Sequence, residues 1–259
     1  MTSMPQNAAS AEFPERDILG TAVTAISRDE AIALLTGRIA ERQFTRVTFL
    51  NAHNANVAAA DPDFRLALRD FIVLADGVGV DIASKLLYGE AFPDNLNGTD
   101  FVPQFLVRHR ERLKVGLIGA RAEHGRAAAA RLAVLAPQHE VVFLHDGFFS
   151  AADESAVLEQ VAAFHPDLLL VAMGVPRQEM WIHRAVAPGH ATVSMAVGAL
   201  FDFLSGAVPR APVWMRRLRL EWLFRLGLEP GRLWRRYVVG NPLFLARVAL
   251  QRLRGGRGR

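Results

Sequence analysis

The chain has 259 residues, 51% of them hydrophobic, and no cysteine. This suits one large domain or a main domain with an appendage, and excludes disulfides, thiolate metal sites and a cysteine nucleophile. The formal charge of +4 is unevenly spread: thirteen arginines and two acidic residues follow Leu204, so residues 205–259 carry about +11 and residues 1–204 about −7.

Residues 1–16 are small, polar and unpatterned and read as a flexible leader, without the basic and apolar regions of a signal peptide. ILGTAVTAIS reads as one short strand. Ser27, with Glu30 three residues on, predicts a capped helix over 28–42. VTFLNA is an apolar, β-prone run, followed by helices over 54–60 and 63–69. FIVLADGVG is a second apolar run that stops at Asp76-Gly77, with a helix over 80–87 behind it. Gly98-Thr99-Asp100 predicts the cap of a helix over 101–112. The theme then repeats: a strand in LKVGLIGA, a helix over 122–135, a strand in EVVFLHDGFF, a helix over 151–164, a strand in DLLLVAMG, a helix over 178–186 and a strand in ATVSMAVGA. Strands separated by helices of this length predict an α/β fold, a largely parallel Rossmann-like sheet with helices on both faces. The α/β body spans 17–204, and an Arg-rich helical appendage spans 205–259. No apolar run reaches about 18 residues, so no transmembrane helix is expected.

Ligands of such sheets bind at the carboxyl ends of the strands, where the polar residues fall. Asn51 ends the first apolar run, with His53 and Asn54 close behind; its amide suits sugar hydroxyls or a uracil edge, and equally an Asx cap. Asp76 follows a fully apolar strand. With Gly77 and Gly79 allowing close ligand approach it is placed as a general base, the alternative being a turn carboxylate. Gly119 sits at a strand-to-helix turn that offers backbone N–H groups to a pyrophosphate. Asp146 and Gly147, in HDGFF, offer an acceptor for ribose or base, with Phe148 or Phe149 to stack or to return to the core. Gly174 and Pro176 form a loop after DLLLVAM, and Gln178 and Glu179 open the next helix. Trp181 reads as core. No metal-ligand spacing, P-loop or G-x-S-x-G occurs. The cationic end mixes Arg with Trp and Leu, which suits an anionic lipid surface, or a helical pair with a solvated Arg face. No helix-turn-helix, zinc or RNA-binding signature accompanies the charge, so nucleic acid is not an expected partner.

Taken together, LNAHNANVAAADPDF, LADGVGVDIASKLLYG, NGTDFVPQFL, VGLIGA, DLLLVAMGVPRQEMWI and VGALFDFLSGAVPRAPVWMRRLRLEWLFRLGLEPGRLWRRY resemble the WecG/TagA/CpsF glycosyltransferases that build bacterial cell-surface polymers. The resemblance spans about 17–245. It implies inverting, metal-independent transfer from a UDP-sugar, of UDP-glucose or UDP-N-acetylmannosamine type, to an undecaprenyl-diphosphate-linked saccharide in exopolysaccharide or cell-surface polymer synthesis, with no cofactor. It implies Asp76 as base, Asn51 as its active-site neighbour and Gln178 in the nucleotide-sugar loop. Arg210, Arg219, Arg225 and Arg232 fall in an appendage that closes over the site and meets pyrophosphate and anionic inner-leaflet lipid. The enzyme would then be cytoplasmic and peripheral to the inner membrane face, and a homo-oligomer formed through the body is compatible. Where many relatives carry Arg before the G-x-D segment, this chain has Asn97. A non-catalytic nucleotide or membrane-surface binding module is the alternative. The appendage also yields the expectation that removing residues after about Leu204 abolishes transfer and leaves a folded body.

Overall fold

The computed structural model describes residues 13–212, 214–215 and 220–255. Eight strands among them form one sheet: β1 (Glu15–Ile18), β2 (Thr21–Thr24), β3 (Thr45–Leu50), β4 (Ile72–Ala75), β5 (Lys114–Gly119), β6 (Glu140–His145), β7 (Leu168–Ala172) and β8 (Val193–Ala196). Their order is β1-β2-β4-β3-β8-β7-β5-β6. All pairings are parallel except β1 with β2. The expected α/β Rossmann-like architecture is therefore present.

Side chains alternate across the pleat, and that alternation divides the core in two. Ile72 and Leu74 of β4 and Leu168 and Leu170 of β7 face one way. There they meet α1 (Arg28–Ala40), α5 (Gly98–Arg108), α6 (Ala122–Leu135) and α9 (Leu200–Leu204). Val73, Ala75, Leu169 and Val171 face the other way, onto α2 (Ala52–Ala60), α4 (Val78–Tyr88), α7 (Glu154–Phe164) and α8 (Arg177–Ala185). A sheet covered on both faces explains why β4 and β7 are unbroken apolar runs.

Local boundaries follow local chemistry. Ser27 and Glu30 form the predicted capping box on α1. The expected single strand after the leader is instead a hairpin, β1 and β2, turned at Leu19-Gly20 with φ of 55° and 84°. The leader expected over 1–16 thus runs two residues into β1, and residues 1–12 lie outside the described residues. Helix α5 starts earlier than expected because Asn97 caps it, Oδ1 accepting from the Asp100 N–H at 2.9 Å. It ends at Arg108, where His109 is extended, rather than at residue 112.

The cationic end comprises α10 (Glu221–Leu228), α11 (Pro230–Trp234), a π turn (Arg235–Val239) and α12 (Gly240–Gly255). Helix α12 is part of the body's packing. Phe244 and Val248 are fully buried with Ala52, Ala55, Val80 and Ala83. Asn56 Nδ2 donates to the Gly240 carbonyl at 2.7 Å, Arg247 donates to Asn56 Oδ1 at 2.9 Å, and Gln251 Nε2 donates to Asp17 Oδ1 at 2.6 Å. Because α9 packs on one face of the sheet and α12 on the other, the chain between them crosses the sheet's carboxyl edge. This packing does not support a body that stands intact without residues 205–259.

Candidate active site

Strand β4 delivers Asp76 to that edge. The Asp76 N–H still donates to the Leu50 carbonyl at 2.9 Å, extending the β3–β4 ladder by one bond. Gly77 then takes φ of +89°, a conformation that favours a residue without Cβ. Its N–H donates to Asn95 Oδ1 at 3.1 Å, and the chain turns directly into α4. The Asp76 carboxyl is left lining a cavity of about 480 Å³ beneath the crossing segment.

Asn51 takes the cap reading and also reaches Asp76. Its Oδ1 accepts from the N–H groups of His53 and Asn54, each at 3.1 Å, and so caps α2. That fixes which end of the amide is free: Nδ2 points the other way and donates to Asp76 Oδ2 at 3.2 Å. The cap orients the donor that grips the carboxylate.

The cationic segment supplies the far wall. Glu221, Trp222 and Arg225 of α10, Arg236 and Tyr237 of the π turn, and Asn241, Phe244 and Leu245 of α12 all line the cavity. The Trp222 and Tyr237 rings meet nearly edge-on, 5.8 Å apart. Burial raises the Asp76 carboxyl above the ordinary carboxylate range. The Asn51 amide, Arg236 and Arg225 pull against that rise, and Glu221 adds to it. His53, also on the cavity, is pushed down to about 4 by burial and by Arg236, so its imidazole is neutral at pH 7. A carboxyl with raised proton affinity, held by one amide and faced by two guanidinium groups, is an arrangement for taking a proton while anionic charge develops nearby.

Residues 16–258 match the profile of the Glycosyl transferase WecG/TagA/CpsF family. The chain belongs to that family. Its similar relatives include the N-acetylglucosaminyldiphosphoundecaprenol N-acetyl-beta-D-mannosaminyltransferase of Bacillus subtilis (strain 168), 32% identical over 192 residues covering 73% of each chain. The proteins of that same name from Bacillus spizizenii (35% over 184 residues, 71% of this chain and 69% of the relative) and Staphylococcus aureus strain MRSA252 (32% over 178 residues, 68% of each) are also similar.

In this glycosyltransferase the residues singled out from sequence fall into three groups. Asp76, Asn51, Gly77 and Arg225 meet at the cavity. Gly119, Asp146, Gly147, Gly174 and Pro176 lie on the same carboxyl edge but further along it, after β5, β6 and β7. Three strand spacings, about 14 Å, separate β4 from β7. Gly119 is needed for close strand approach: a Cβ there would lie 2.3 Å from the Ala172 carbonyl oxygen. Gly147 donates to the Ala120 carbonyl at 3.2 Å, and Asp146 Oδ1 accepts from the Phe148 N–H at 2.9 Å. Phe148 is 71% exposed, whereas Phe149 packs on Trp181, which is core as expected.

The third group is internal. Asn54 is buried, donating to the Phe49 carbonyl at 2.9 Å. Gln178 Oε1 accepts from the N–H groups of Gly174 and Gly198, both at 3.1 Å, pinning the loops after β7 and β8 together. Glu179 is buried, its Oε1 accepting from Thr48 Oγ1 and Gln178 Nε2, both at 2.9 Å. Burial raises its carboxyl too. Neither Gln178 nor Glu179 lines the cavity.

Of the remaining arginines, Arg219 lies outside the described residues and so does the side chain of Arg232. Arg210 pairs with Asp100 and Glu221. Sequence reasoning placed His53 beside Asn51 without a role, and did not single out Glu221, Trp222, Arg236 or Tyr237 as site residues. Glu221 had a signal: it is one of two acids among thirteen arginines.

The exposed residues of the cationic end are largely apolar or cationic. Trp214, Leu223, Trp234, Val238, Leu243, Leu250 and Leu253 are all more than 40% exposed, beside exposed Arg235, Arg252 and Arg254. Among the described residues no helix is long and apolar enough to cross a membrane.

Proposed function

We propose that this enzyme transfers a sugar from a UDP-sugar to an undecaprenyl-diphosphate-linked saccharide, with inversion, at Asp76. The observation that carries the proposal is the meeting of Asp76 with Arg225 and Arg236 in one cavity. The names of the relatives support the acceptor class. Asp76 takes the proton of the acceptor hydroxyl as its oxygen bonds to the anomeric carbon. The bond from that carbon to the β-phosphate oxygen breaks on the opposite face, and its electron pair leaves with UDP. Arg225 and Arg236 meet the charge that gathers there, as guanidinium forks suit a diphosphate, and they do this without a metal. Asn51 holds the carboxylate in line. The donor lies along the carboxyl edge, its nucleotide towards Gly119, Asp146, Gly147, Gly174 and Pro176 and its sugar at Asp76. UDP-N-acetylmannosamine and UDP-glucose are the two donor types to compare.

The exposed apolar and arginine-rich face of α10 to α12 rests on the cytoplasmic leaflet. Each arginine near anionic lipid contributes about 1 kcal/mol there. A UDP-release screen over UDP-hexoses and UDP-N-acetylhexosamines, with and without a polyprenyl-diphosphate saccharide, tests the reading. Release with one donor, dependent on acceptor, is expected. UDP binding with no release for any donor would leave only a binding module.

A further inference from the structure

Arg210 carries the first of the four guanidinium groups expected at the phosphates, yet it does not line the cavity. One of its terminal nitrogens lies 2.8 Å from Asp100 Oδ1, at the start of α5 on the body. Its Nε lies 3.0 Å from Glu221 Oε1, at the start of α10 on the crossing segment. Its guanidinium sits 5.3 Å over the Phe203 ring of α9, and Arg225 sits 5.1 Å over the same ring. One half-buried cation thus joins a body carboxylate, an appendage carboxylate and an aromatic platform shared with Arg225.

Helical spacing gives this junction a consequence. Glu221 and Arg225 are four residues apart, so they share a face of α10, and both line the cavity. Anchoring Glu221 sets the rotation of the helix and with it the aim of Arg225. Resting on the transfer reading above, we infer that Arg210 is a positioning residue: it clasps Asp100 and Glu221 so that α10 holds Arg225 towards Asp76 and the donor diphosphate.

The clasp also has an electrostatic side. The charged and titratable groups lining the cavity with Asp76 are His53 from α2, Asp100 from α5, Glu221 and Arg225 from α10, and Arg236 and Tyr237 from the π turn. Without Arg210, the Glu221 carboxylate loses this partner and acts on Asp76 as a less compensated negative charge. A spacer that merely supported the fold would not shift the titration of Asp76.

Three variants test this: Arg210→Gln, Glu221→Gln and the double variant. Chymotrypsin, whose sites include Trp214, Trp222, Phe224, Trp234 and Tyr237, reads the hold on the segment without any substrate. Each single variant should be cut roughly tenfold faster there, since cleavage follows the open population, with the double variant no faster than either. In the transferase assay Arg210→Gln should raise KM for the UDP-sugar roughly tenfold, the size of one lost charged hydrogen bond. It should also move the acid limb of kcat/KM to higher pH. Adding Glu221→Gln should bring that limb back to or below the wild-type position. Unchanged cleavage, or a double variant whose KM rises by the product of the two singles, would overturn the clasp; the second result would mean that Arg210 contacts the donor directly. If the wild-type enzyme transfers no sugar, the transfer reading fails, and the digestion still decides whether Arg210 holds the segment.

Discussion

Asp76→Asn is expected to lower kcat by roughly a hundred- to ten-thousand-fold, the range that a positioned general base contributes, while UDP still binds. The substitution keeps the shape, and its amide oxygen can still accept from Asn51 Nδ2, which now reaches Oδ2 at 3.2 Å. What is lost is the ability to take a proton. Stability should move the other way. Burial raises the folded-state proton affinity of Asp76, so its contribution is fully present below the pKa of the unfolded chain. It is lost as pH rises through the higher folded value. At pH 8 the asparagine variant should therefore melt no lower than wild type, and any advantage should vanish in acid. Thermal melts at the two pH values beside single-turnover transfer separate a missing base from a damaged fold. Wild-type turnover in the variant would remove Asp76 from the chemistry.

Deleting residues 205–259 should cost the fold as well as the activity. The apolar burial of Phe244 and Val248 against α2 and α4 is core burial. Truncating one buried Phe to Ala costs about 3–5 kcal/mol, against a total stability of about 5–15 kcal/mol for a typical protein. The deletion removes both side chains and the Asn56, Arg247 and Gln251 hydrogen bonds together. Loss of the cooperative melt and of near-ultraviolet circular dichroism is expected. The single change Phe244→Ala should lower the melting temperature and open one wall of the cavity. A truncated chain with the wild-type melt would show that α12 is dispensable to the body.

Most of the sheet was legible because its central strands end apolar runs at a polar residue or glycine, as in β7 of DLLLVAMG or β4 of FIVLADG. Asp76 was legible for the same reason, since it is the first charge after a buried strand. The hairpin at Leu19-Gly20 was hidden because leucine at a positive φ carries no turn signal. The far wall was hidden for a different reason. Nothing in the order of thirteen arginines says which ones a three-dimensional crossing will bring back to residue 76, so Arg236 went unmarked and Arg210 was expected at the phosphates. Gln178 and Glu179 show the converse. Polar residues at a helix start after a strand look like ligands, and here they bond to the Gly174 and Gly198 backbone and to Thr48 inside the protein.

The pH dependence of kcat/KM in wild type and in Arg236→Gln tests the pairing of carboxylate and guanidinium most directly. Arg236 lowers the proton affinity of Asp76 and burial raises it further than that. The wild-type acid limb should therefore lie above the ordinary aspartate value of about 3.9, and removing Arg236 should carry it higher still. A limb that stays in place when Arg236 is removed would contradict the account.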